Sequence, residues 1–205
     1  MNKKALTLLL ITTGCAFILT RCSENKNTGN TTPSADSSTV IAGSFNGYGT
    51  NVKWGEHLVL TLGCNDCHTP KKMGPNGPVN DESLTLAGHW SATPIADIDR
   101  KMVQKKGLAV TTDETAWIGP WGISYASNLT PDSTGLGSWT EDQFIRCLRE
   151  GKYMGLETGR DLLPPMPWQT FRNLTDNELK AVFAYLKSIR PIHNVVPAAA
   201  PPVMN

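Results

Sequence analysis

Cys64, Asn65, Asp66, Cys67 and His68 place two thiols three positions apart and an imidazole directly after the second. Positions three apart share one face of a helical turn, so both sulfurs can reach the two vinyl groups of one porphyrin. The histidine then lies beneath the iron as its proximal ligand. The pattern is the attachment signature of a c-type haem. Two other chemistries use paired cysteines. A cysteine-only zinc site needs a second pair, which Cys15, Cys22 and Cys147 do not supply. A thioredoxin-like redox pair should follow a strand in a βαβ pattern, and that is not what surrounds residue 64.

A second ligand is suggested far downstream, in Leu162-Leu163-Pro164-Pro165-Met166-Pro167-Trp168. Three prolines hold the chain around Met166, and an extended backbone is expected there. A thioether is a weak ligand that favours reduced iron and raises the potential. Such a bond survives best in a loop already held in shape, and proline lowers the entropy of the unligated chain. The competing role for Met166 is filling the core, the common use of a buried methionine. Met73, Met102, Met154 and Met204 lack a comparable setting. His89 and His193 are the alternative sixth ligands, whereas His57 is expected at the surface. With a sixth ligand the iron has no place for a substrate, which suits an electron carrier. With an open position the same chain would suit a catalyst or gas sensor.

These residues need elements to position them. Val52 to Gly63 reads as a helix leading into the haem motif, with Val52, Val59 and Leu62 on one face. Thr140 and Gln143 form a capping box that opens a second helix, with Phe144, Ile145 and Leu148 on its apolar face. Gly151 ends it, and Cys147 on it is expected as a buried free thiol. A last helix starts at Thr175 and Glu178, carries Leu179, Val182, Phe183, Leu186 and Ile189 as a stripe, and stops before Pro191. Phe183 and Tyr185 are available where it crosses the first.

Between these helices the chain is rich in turns, with 18 glycines and 14 prolines overall. Residues 69–78 hold three prolines and two glycines and are expected to be a loop on the proximal side of the porphyrin. The carbonyl of Pro75, with Pro70 and Pro78 as rivals, is the expected acceptor for the second ring nitrogen of His68. Ile98 to Lys105 suggests a short helix. Leu108 to Thr111 and Ile123 to Ala126 are candidates for a small β-hairpin. Trp117 and Trp121, in a turn with Gly119, Pro120 and Gly122, would either plug a core or wall a large flat cofactor.

The N-terminal region reads as targeting rather than fold. Lys3 and Lys4 precede an apolar run from Ala5 to Thr20, the arrangement of a secretory signal. The run is shorter than the ~20 residues a membrane span needs. Residues 1–21 are therefore expected to be a signal peptide and the protein to be exported. Cys22 follows Leu19-Thr20-Arg21, which resembles a bacterial lipobox, with Cys15 or simple cleavage as alternatives. Lipidation at Cys22 would hold the protein on a membrane surface. Residues 22–44 read as a flexible tether, 45–194 as the folded domain, and 195–205 as a loose tail. The formal charge of +1 becomes −2 once Lys3, Lys4 and Arg21 are removed. That balance argues against nucleic acid as a partner.

The two flanking helices, the haem motif after the first and the proline-framed Met166 together resemble the class I monohaem cytochromes c. Asn128-Leu129-Thr130-Pro131-Asp132, Trp139-Thr140, Phe144-Ile145-Arg146, Arg149-Glu150-Gly151 and Pro164 to Trp168 are more specifically similar to the cytochrome subunits of membrane-bound alcohol and gluconate dehydrogenases. The resemblance spans roughly residues 50–192. It implies an all-α domain of three or more helices, with its terminal helices packed together beside one haem c. It also implies Cys64 and Cys67 as covalent attachment sites and His68 and Met166 as the axial ligands. The partners it implies are redox proteins that donate and accept electrons, with no small-molecule substrate. This chain has one haem motif where those subunits typically have three, so a single-haem relay is expected.

Overall fold

The computed structural model describes residues 45–204. The expected signal peptide, Cys15, Cys22 and the tether at 22–44 lie outside the described residues.

Helix α1 (Asn51–Thr61) begins where the Thr50 hydroxyl accepts the Lys53 N–H at 3.1 Å. Its inner face is built on Trp54, Gly55, Leu58 and Val59, and Val52 is left at the surface. Helix α6 (Asp176–Ser188) opens with both halves of the expected capping box. Glu178 N–H donates to Thr175 Oγ1 at 3.3 Å, and Thr175 N–H donates to Glu178 Oε2 at 2.7 Å. It buries Leu179, Ala181, Val182, Phe183 and Leu186.

The two helices cross at Gly55. A Cβ there would lie 1.9 Å from the Ala181 carbonyl oxygen and 2.9 Å from Tyr185 Cβ. The helix backbones touch, and only glycine permits it. Gly55→Ala must force the helices apart, and should cost about 1–3 kcal/mol. A lower urea midpoint at unchanged slope would show it.

Helix α4 (Glu141–Glu150) has its own complete capping box and ends at Gly151, whose φ is 68°. It packs Phe144, Cys147 and Leu148 inward, with the Phe144 and Phe183 rings 5.3 Å apart. Cys147 is a buried free thiol, pushed up to about 11 by that burial. Arg149 clamps this helix to α6 by donating to Asp176 Oδ1 at 2.6 Å. With Leu86 and Leu136, the three helices enclose the main core.

Four departures from expectation concern the connections. First, all-α is too narrow a description, since two antiparallel hairpins stand among the helices. Second, the proline-rich 69–78 stretch is not all loop. Strand β1 (Lys71–Gly74) pairs with β2 (Gly77–Asn80), with Pro75 and Asn76 between them and Gly77 at φ 123°. Pro78 is tolerated because a two-stranded ribbon is all edge.

Third, the other hairpin joins β3 (Ala116–Gly119) to β4 (Gly122–Tyr125). The expected first strand, 108–111, contributes only a bridge from Val110 to Ile118. Helix α3 (Arg100–Lys105), opened by Asp99, supports this hairpin through a smaller core of Val103, Ile118 and Ile123. Fourth, the chain after residue 194 is bound down rather than loose. Ala200 and Ile123 exchange backbone hydrogen bonds of 2.8 and 3.0 Å, and Arg100 donates to the Pro201 carbonyl at 2.7 Å.

Candidate functional site

The haem motif is a single helical turn, α2 (Cys64–His68), entered through Gly63 at φ 69° and left through extended Thr69. A Cβ at Gly63 would sit 2.8 Å from the Asp66 carboxylate, so the entry is tight as well as left-handed. Lys71 donates to the Thr69 carbonyl at 2.9 Å and also to the Asp66 carbonyl. It thereby satisfies acceptors that the short turn leaves free.

Both thiols are unpaired and half-buried. Burial pushes Cys64 up to about 11, and burial with the nearby Glu114 charge raises Cys67 as well. A catalytic redox pair works through a thiolate and shows the opposite shift. Among the described residues, no group of three or more His, Cys, Asp or Glu side chains is placed to share a metal ion.

His68 is buried, and burial holds its imidazole below the ordinary histidine range and therefore neutral. Its Nδ1 lies 2.7 Å from the Ser127 carbonyl oxygen. A carbonyl can only accept, so Nδ1 carries the hydrogen and Nε2 keeps the free lone pair. This is the tautomer that a metal-bound histidine requires.

Ser127, rather than Pro75, is thus the acceptor. Pro75 is exposed at the tip of the β1–β2 hairpin, and the Pro70 carbonyl accepts the Asp81 N–H at 2.8 Å. Residues 126–129 run beside 86–89. Leu129 N–H donates to the Leu86 carbonyl, and His89 N–H to the Ala126 carbonyl, each at 2.9 Å. Gly88 N–H closes the circuit by donating to the His68 carbonyl at 2.8 Å.

The only local sign of this register in the sequence is Gly88. Its φ is +77°, and a Cβ on it would meet Ser127 C at 2.5 Å. Asn194 secures the same segment, although no motif around it marks the residue. Buried, it donates to the Ala87 and His89 carbonyls at 2.8 and 2.9 Å and accepts the Ser91 N–H at 3.2 Å.

The Met166 loop is a turn rather than an extended run, with Met166 N–H donating to the Leu163 carbonyl at 3.3 Å. It is anchored at both ends to the close of α4. Leu162 N–H donates to the Gly151 carbonyl at 2.6 Å, and the Trp168 ring fills the space a Cβ on Gly151 would need, 2.4 Å away. Helix α5 (Trp168–Phe171) follows.

Met166 and Cys64 are both partly buried against the main core. Met73, Met154 and Met204 are exposed, and Met102 packs in the smaller core. Among the described methionines, Met166 alone lies on the core that Cys64 shares. The two histidine rivals have other partners. His89 Nδ1 is 2.7 Å from Thr115 Oγ1, with its ring 5.0 Å from that of Tyr125. Exposed His193 faces Asp132 at 3.3 Å, and His57 is at the surface, as expected.

A neutral imidazole with a free Nε2, two protonated cysteines on the same turn and a proline-turn methionine on the same core fit a c-type haem. These residues are the set that a c-type cytochrome domain would use to hold its haem.

Known proteins point the same way. Over 144 residues, 69% of its length, the chain is 34% identical to the fructose dehydrogenase cytochrome subunit of Gluconobacter japonicus. It is 35% identical over 149 residues, 72% of its length, to the gluconate 2-dehydrogenase cytochrome c subunit of Pantoea cypripedii. A shorter match, 35% identical over 83 residues or 40% of the chain, is to the quinone-dependent alcohol dehydrogenase cytochrome c subunit of Gluconacetobacter polyoxogenes. The matches cover 22%, 24% and 16% of those relatives, so the chain corresponds to only a part of each. No protein-family model matches the chain. The chain thus resembles the cytochrome subunits of dehydrogenases, the electron-transfer components rather than the catalytic ones.

Proposed function

We propose that this chain is an exported, single-haem electron carrier of the class I type, passing electrons from a dehydrogenase or quinol-oxidising complex to an oxidase or soluble carrier. The observation that carries the reading is the His68–Ser127 hydrogen bond of 2.7 Å. It leaves Nε2 available beside two unpaired thiols. A haem iron held there supplies reversible one-electron chemistry. Cys64 and Cys67 would supply the two thioether links, and His68 and Met166 would be the chain's ligands to the iron. With both supplied by the chain, no position would be left for a substrate.

The residues around the ligands limit rearrangement. Ser127 fixes the imidazole plane, and Gly151 with Trp168 fixes the ends of the methionine loop. A site that keeps one shape in both oxidation states gains and loses an electron with little reorganisation. Contacts with redox partners of this kind are small and transient.

The test is spectroscopic. Matured with haem, the chain should be red and keep its colour through acid–acetone extraction. Oxidised, it should show the weak near-infrared band of methionine-ligated ferric haem, and Cys64→Ser with Cys67→Ser should lose the covalent link. Extractable haem, or a ferric spectrum without that band, would replace this reading with a haem protein whose distal site is open.

The proposal extends to residues 1–44 on sequence grounds alone. Cleavage before Cys22 and lipidation of that residue would place the domain on the periplasmic side of a bacterial membrane, on a tether able to swing between partners. Labelled fatty acid should enter the wild type and Cys15→Ser but not Cys22→Ser.

A further inference from the structure

Two hydrogen bonds that serve opposite parts of the site start only three residues apart. Ser124, buried on β4, donates through Oγ to the Pro164 carbonyl at 2.6 Å, and its Oγ accepts the Trp121 indole N–H at 3.0 Å. Pro164 lies two residues before Met166. Three residues after Ser124, the Ser127 carbonyl accepts from His68. Along an extended chain that separation is about 10 Å. One short run of backbone therefore reaches both the methionine loop and the proximal histidine.

The run is braced on both edges. On one side β4 pairs with β3, and the pairing continues as Ala126 N–H donates to the Thr115 carbonyl at 2.8 Å. On the other side, Ile123 and Ala200 exchange their two backbone bonds. Gly122 allows the close approach, since a Cβ there would lie 2.0 Å from the Ala200 carbonyl. The Trp121 ring covers Gly119, 2.5 Å from where its Cβ would be. The indole that donates to Ser124 is thus held in place.

We infer that residues 124–127 form one rigid strut for both axial ligands, and that Ser124 is the positioning residue for the Met166 loop. The inference rests on the reading of Met166 as a ligand. Ser124 acts on the Met166 loop through the Pro164 carbonyl. Its hydroxyl both donates and accepts, so the two bonds reinforce each other. Nothing in the local sequence marks the residue, because its partner is 40 positions away.

The experiment is competition by imidazole for the sixth position of the oxidised, haem-loaded full chain, read by loss of the near-infrared band. Losing one hydrogen bond should let the loop open more readily, and Ser124→Ala should bind imidazole on the order of fivefold more tightly. Ser124→Thr, which keeps a hydroxyl, should stay near wild type. Trp121→Phe, which keeps a ring over Gly119 but loses the donor, should shift the same way by less.

Amide exchange at Met166 and Trp168 supplies a readout independent of the haem spectrum and should quicken in Ser124→Ala. Unchanged imidazole affinity and unchanged exchange in both Ser124→Ala and Trp121→Phe would overturn the inference. A threonine variant as weak as alanine would also overturn it, because the effect would then be packing. Should Ser124→Ala not retain haem, Trp121→Phe against wild type decides alone. Absence of the near-infrared band in the wild type would instead remove the ligand reading itself.

Discussion

Met166→Ala should lower the reduction potential by at least about 120 mV, a hundredfold change in the one-electron equilibrium at roughly 59 mV per decade. Axial ligands span most of the potential range of haem proteins, and a thioether favours the reduced state because it donates weakly to ferric iron. Without it, the position opens to water or added ligands, which favour the oxidised form. The near-infrared band should vanish, and imidazole should bind without competition. The rest of the fold should survive, since Met166 is only partly buried and the loop keeps its anchors at Gly151 and Trp168. A spectrum and potential that barely move would mean that Met166 is a packing residue. His89 and His193 would then return as candidates despite their partners at Thr115 and Asp132.

What the chain reveals before folding follows from how far each interaction reaches. The two capping boxes at Thr140 and Thr175 are four-residue patterns, and both stand where the sequence places them. The haem motif is equally local, as is the proline frame of Met166. By contrast, the acceptor for His68 lies 59 residues away and is a backbone carbonyl, which any residue type supplies. Composition points only to the nearest plausible loop, and that loop holds Pro75.

The same reach explains the connections. Prolines at 70, 75 and 78 argue against a strand inside a sheet, but a two-stranded ribbon has free edges on both sides. The tail after residue 194 reads as loose because its prolines and alanines carry no periodic pattern. It is held by backbone bonds at Ala200 and by the Arg100 side chain on the Pro201 carbonyl. Neither signal depends on periodicity.

Gly88→Ala tests the least legible part of the site and should have the opposite electronic sign. At φ +77° alanine is strained, and its Cβ would stand 2.5 Å from Ser127 C and 2.6 Å from both Ala126 O and Asn128 N. All three are backbone atoms that cannot rotate aside. Left-handed strain of about 1 kcal/mol and overpacking of about 2 kcal/mol together give a stability loss of roughly 3 kcal/mol. The displaced 126–129 segment draws the Ser127 carbonyl away from Nδ1. A proximal imidazole whose ring hydrogen loses its acceptor is a poorer donor, and oxidised iron depends on that donation more than reduced iron does. The potential should therefore rise, by about 40 mV for a bond worth about 1 kcal/mol. Ser127→Ala supplies the control. Its side chain is exposed and only its backbone carbonyl accepts, so both stability and potential should stay near wild type. A potential that falls in Gly88→Ala, or one that moves equally in Ser127→Ala, would show that the 126–129 segment does not act on His68 through that carbonyl.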